Sequence, residues 1–212
     1  MLLLSHRRSA HSASIVPHAW RAAALLVLSA LPATAQEDRL LRLEQPCRYT
    51  FDLTVDSAKA MGLPDAPLRS TALLGIQSKV DQRRICEAIR TKFGHLKTAQ
   101  SVLGAVGDQE LDAASRVLEA GAKPVQLAAF KPRQKGRNDL NALTVWTDLM
   151  YRGVPKEEAS SGIIKLWQDG ADEATFLRLW NDVQSDINQG LNPGGAFRSR
   201  ILQTPVRAPP KP

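Results

Sequence analysis

Few side chains in this 212-residue sequence are of types that do chemistry, and their spacing narrows what they could do. Three of the four histidines, His6, His11 and His18, lie in the first 35 residues, which leaves His95 in the body of the chain. One histidine does not build a multi-histidine zinc site, and two cysteines do not make a thiolate cage. A Ser–His–acid or Cys–His centre would rest on His95. That residue follows Gly94 within a long helical pattern, two positions past the apolar Phe93, and reads as a surface or rim histidine. No H-E-x-x-H, G-x-S-x-G, phosphate-binding loop or dinucleotide fingerprint occurs. We therefore assign no catalytic residue, metal ligand or cofactor.

Carboxylate pairs remain. Glycoside hydrolysis needs two acids across a cleft, one of them in apolar surroundings that raise its pKa. Glu157/Glu158 and Asp172/Glu173 each open a helical pattern, where the helix dipole alone favours acids. Asp182 and Asp186 sit one helical turn apart with no oxygen-rich loop beside them, and read as a solvated face. Lys131, Arg133, Lys135 and Arg137 form a basic linker and the candidate anion-binding set. Only Phe130 lies near them to stack on a base, so the nucleic-acid signal is weak. Trp146, Trp167 and Trp180 fall on apolar stripes and read as core. The pair Cys47 and Cys86 is expected to form a disulfide if the chain reaches an oxidising compartment.

The first 35 residues point to such a compartment. Arg7, Arg8 and Arg21 precede the apolar run from Ala22 to Leu31, followed by Ala33-Thr34-Ala35. A basic start, a short apolar core and an A-x-A ending make a signal peptide over 1–35, cleaved before Gln36. The run of about ten residues is short of the roughly 20 a membrane span needs. Removing the leader, with three arginines and no acid, takes the formal charge from +7 to +4. That balance signals no strong pull toward nucleic acid or membrane.

The elements that must position these side chains are helices. Gly62-Leu63-Pro64, Gly121-Ala122-Lys123-Pro124, Gly153-Val154-Pro155, Gly170-Ala171-Asp172 and Gly190-Leu191-Asn192-Pro193 each pair a helix-stopping glycine with a helix-starting residue. Asp81 and Asp108 read as further N-caps. Apolar stripes recur at helical spacing in Cys86/Ile89/Phe93/Leu96, Leu111/Ala114/Leu118, Leu143/Trp146/Met150, Ala159/Ile163/Leu166/Trp167 and Phe176/Trp180/Val183/Ile187. Tyr49 to Val55 alternates like a strand, but no second strand exists to pair with it, so a helix ending at Met61 is favoured. The two helices 155–169 and 172–189 are expected to form the best-defined hairpin.

The Gly-Val-Pro turn, the Gly170-Ala171-Asp172 step and Asp186-Ile187-Asn188-Gln189-Gly190 resemble a group of predicted exported bacterial proteins of unknown function, built from helices joined by such turns. The resemblance spans roughly residues 58–190. It implies an all-helical fold and no activity, and it transfers no site residue. The resulting expectation is a signal peptide (1–35), an all-α domain of seven to eight short helices (36–202) and a disordered Pro-rich tail (203–212). The expected function is that of a periplasmic or extracellular, non-enzymatic interaction or structural module, with an envelope protein or polymer as partner. The alternatives are a carboxylate-dependent, muramidase-like cell-wall hydrolase and a binder of anionic polymer through residues 131–137.

Overall fold

Five of the glycine turns close in the same way, and they set the architecture. In each, the glycine takes a positive φ and the next residue's N–H bonds the carbonyl five positions back: Leu63 to Ala58, Ala122 to Val117, Val154 to Leu149, Ala171 to Leu166 and Leu191 to Asp186. This is the Schellman closure, which satisfies carbonyls the helix leaves open. In the first four the residue after glycine (Leu63, Ala122, Val154, Ala171) is buried, so each turn pins a helix end onto the core.

The structure is a computed structural model and describes residues 38–130 and 139–204. Residues 1–37, where the signal peptide is expected, the residues Lys131, Arg133, Lys135 and Arg137 of the expected anion-binding set, and residues 205–212 lie outside the described residues. From Gln45 onward the described chain is helical with no strand: α1 (Gln45–Ala60), α2 (Ala66–Gln77), α3 (Gln82–Leu103), α4 (Asp108–Glu119), α5 (Pro124–Ala128), α6 (Leu140–Tyr151), α7 (Lys156–Gln168), α8 (Glu173–Asn188) and α9 (Pro193–Gln203). These are slightly more helices than expected, and α5 is a single short piece. No described helix is long and apolar enough to cross a membrane.

The strand-like segment is the middle of α1. Its hydroxyl residues fit because Thr50, Thr54 and Ser57 each donate to the carbonyl four residues back. Asp81, Asp172 and Asn192 cap α3, α8 and α9 through side-chain oxygens that accept from Arg83, Thr175 and Gly195 N–H. Asp108 departs from expectation. Gly107 is the N-cap of α4, Asp108 is its first helical residue, and Glu110 reaches back to accept from Gly107 N–H.

The described residues from Leu40 onward form one compact unit with a continuous core running from Leu40 to Phe197. The long helix α3 gathers α1, α2, α4 and α5, while α6 gathers α4, α7 and α8, so α4 belongs to both groups. The expected α7–α8 hairpin is replaced by a different arrangement. These helices make little direct contact; each lies on α6 and on α9. Their apolar stripes are matched to α6, the most apolar helix surface nearby, and α9 fills the wedge between them.

That wedge depends on a close approach. A Cβ on Gly162 would lie 2.5 Å from the Phe197 ring, which is itself buried. Gly94, also within a helix, has nothing within 4 Å of the same position. Gly94→Ala should therefore stabilise by about 0.5–1 kcal/mol, the helix-propensity gain. Gly162→Ala should instead destabilise by about 1–3 kcal/mol, because overpacking outweighs that gain. Thermal melts of the two variants check the opposite signs.

Candidate functional site

The two cysteines come together as expected. Cys47 opens α1, Cys86 lies in the first turns of α3, and they form a disulfide with Cα atoms 5.4 Å apart. The bond borders a groove of about 830 Å³ that Arg83, Glu87 and Arg90 also line. Closing a loop with a sequence separation of 39 should contribute about 4 kcal/mol in the chain-entropy model. Intact mass should rise by two hydrogens on reduction, and reduction should lower the melting temperature.

Of the acids singled out in the sequence, Glu157, Glu158 and Asp186 tie helices together. Glu157 accepts from Lys123 Nζ at 2.8 Å and from Gln126 Nε2 at 2.7 Å, joining α7 to the start of α5. The Lys123 partnership holds its carboxyl below the usual range. Glu158 pairs with Arg198 of α9 at 2.7 Å. Asp172 is the α8 cap, and its hydrogen bonds from Thr175 depress its pKa. Asp182 is exposed, but Asp186 is buried under a bidentate Arg200 pair at 2.6 and 2.7 Å, which also depresses its pKa. The solvated-face reading of Asp186 is thus corrected: it faces α9, where Arg200 can reach it. His95 is half-buried, its Nδ1 has no hydrogen-bond partner, and burial lowers its pKa.

Of the tryptophans, Trp146 and Trp167 are core. Trp146 donates to Ser160 Oγ at 3.2 Å, Trp167 donates to the buried Asp139 at 2.8 Å, and Phe130 packs between both rings. Trp180 is half-buried at the edge, with Arg152 over its ring at 5.8 Å. The α8 stripe is therefore centred on Phe176, Leu179 and Val183, with Trp180 and Ile187 as flanks. On α3 the buried face likewise runs through Ile85, Ile89, Lys92 and Leu96, leaving Cys86 and Phe93 half-buried.

The arrangement with most chemical content went unread in the sequence. It is a hollow of about 390 Å³ between α4 and α6, bordered by Gln109, Asp112, Arg116, Thr144, Asp148 and Tyr151. Asp112 is held from two sides. Its Oδ1 lies 3.0 Å from Lys92 Nζ, and its Oδ2 accepts from Arg116 at 2.8 and 3.1 Å. Lys92 is buried and also reaches Glu119 at 3.5 Å. Asp148 is half-buried, and among the described residues no hydrogen bond to its carboxyl contributes to its electrostatics. Burial pushes its carboxyl above the usual range, with Arg152 and Arg116 opposing. Burial and the Glu119 charge push the exposed Tyr151 phenol up as well.

The sequence signal for this site was weak: Asp112/Arg116 and Asp148/Arg152 are i,i+4 pairs of the kind that decorate any helix surface. Among the described residues no group of three or more His, Cys, Asp or Glu is placed to hold a metal ion. Compared with protein-family models, curated proteins and solved structures, the chain matches none, so its reading rests on this geometry.

Proposed function

We propose that this protein is an exported, non-enzymatic interaction module of the bacterial envelope, with the α4–α6 hollow as its binding site. The leader pattern over 1–35 supports export, and the Cys47–Cys86 bond is chemistry suited to an oxidising compartment. The observation that carries the non-enzymatic part is the state of Asp112. Both of its oxygens are engaged by cations, Lys92 on one and Arg116 on the other. Any role of this carboxylate in attacking a sugar or activating water would have to compete with both ion pairs. The hollow thus offers one uncommitted acid, Asp148, which suits recognition.

The hydrolase is the second reading. It is favoured by one specific observation: two acids border one hollow, and burial raises the pKa of one of them. Incubation of the purified mature chain with cell-wall sacculi separates the two. The interaction reading expects co-sedimentation with no release of soluble reducing ends. Release of reducing ends that Asp148→Asn abolishes would establish the hydrolase instead. Export is checked by N-terminal sequencing of the protein from the periplasm, where Gln36 should be first.

A further inference from the structure

Asp148 is a half-buried acid on the wall of the hollow. It loses hydration by burial, with the charges of Arg152 and Arg116 opposing and no hydrogen bond to its carboxyl adding to them. It also sits in the last turn of α6, where the negative end of the helix dipole opposes an acid. A half-buried acid with no hydrogen-bond donor of its own, on the wall of a hollow, is a site candidate.

The other walls define what it would meet. Tyr151, the last residue of α6, is 63% exposed and offers a flat apolar ring with a hydroxyl at its tip. Thr144 donates its hydroxyl hydrogen to Leu140 O, which leaves its oxygen to accept. Gln109 is exposed at the rim and brings both a donor and an acceptor. Charge is balanced: Arg116 answers Asp112, and Arg152 and Arg116 act on Asp148. A strongly anionic ligand would meet the two acids, and a cation would meet Arg116. The group that suits an acid acceptor, mixed amide and hydroxyl partners and an exposed ring is an uncharged polyol with one apolar face. A volume of about 390 Å³ lies at the small end of the range for small-molecule sites.

We propose that the α4–α6 hollow binds one unit of a neutral glycan, its apolar face on Tyr151 and its hydroxyls donating to Asp148. The proposal rests on the interaction reading above, because an envelope protein meets such glycans in the cell wall. Titration calorimetry of the mature chain with an N-acetylglucosamine tetramer and with a plain glucose tetramer tests it and separates acetamido from simple sugars. Binding of either tetramer by the wild type is expected. Tyr151→Ala and Asp148→Asn should each weaken it about tenfold or more, the loss of one hydrogen bond to a charged group or of a stacking face. Tyr49→Ala, an exposed tyrosine on α1, should stay within about twofold, and thermal melts should show all three folded.

Absence of binding to both tetramers overturns the proposal, as does binding that neither hollow variant weakens. Failure of the broader reading looks different: it shows as retention of the leader, absence from the envelope, or glycan cleavage that depends on Asp148. Such cleavage would replace the non-enzymatic reading and still support glycan binding at the hollow.

Discussion

Trp146→Ala is expected to destabilise the protein by about 3–5 kcal/mol, the range for emptying a large buried aromatic site. Trp146 is fully buried in α6 and packs against Phe130, with ring centroids 5.9 Å apart. Helix α6 is the element on which α4, α7 and α8 all rest, so the void would open at the junction of the second helix group. Its indole N–H donates to Ser160, but the Ser160 hydroxyl separately donates to Lys156 O, so truncation leaves no orphaned serine donor. The loss is therefore mostly packing. Trp180→Ala should cost clearly less, because that ring sits half-buried at the edge. Denaturant melts of both variants measure the difference. A cost for Trp180→Ala equal to that for Trp146→Ala would contradict the placement of the core.

The second large effect concerns Lys92. Its ammonium is buried between α3 and α4, 3.0 Å from Asp112 and 3.5 Å from Glu119. Removing the nearer partner leaves a buried charge facing only the more distant and more exposed Glu119. Asp112→Ala should accordingly cost about 3–5 kcal/mol. Lys92→Met tests the other side of the same argument. Methionine fills similar space without a charge, and the freed Asp112 keeps Arg116, so this variant should lie within about 1 kcal/mol of the wild type or above it. The double variant Lys92→Met/Asp112→Ala should recover most of the Asp112→Ala loss. A double-mutant cycle by chemical denaturation reads that coupling directly. Additive losses would show that the buried contact is not the source of the effect.

What the sequence determined by itself was local. A helix end is decided within six residues, so Gly153-Val154 and Gly170-Ala171 predict their own turns, and Asp81, Asp172 and Asn192 their own caps. The all-helical class follows from the same signals plus the lack of a partner strand for Tyr49–Val55. The Cys47–Cys86 bond was legible because only two cysteines exist to pair. What tertiary structure alone decided was which faces meet. The α7 and α8 stripes were real, but α6 and α9 receive them, because a helix buries its apolar stripe against the best complementary surface, not against its neighbour in sequence. Stripe centres shifted for a related reason. Lys92 and Asp186 lie on buried faces because each finds opposite charge on a neighbouring helix, which periodicity of apolar residues does not report. The hollow is the extreme case. Asp112 and Asp148 become neighbours only through the packing of α4 on α6, with α5 and the basic linker between them in the chain, and no local pattern records that meeting.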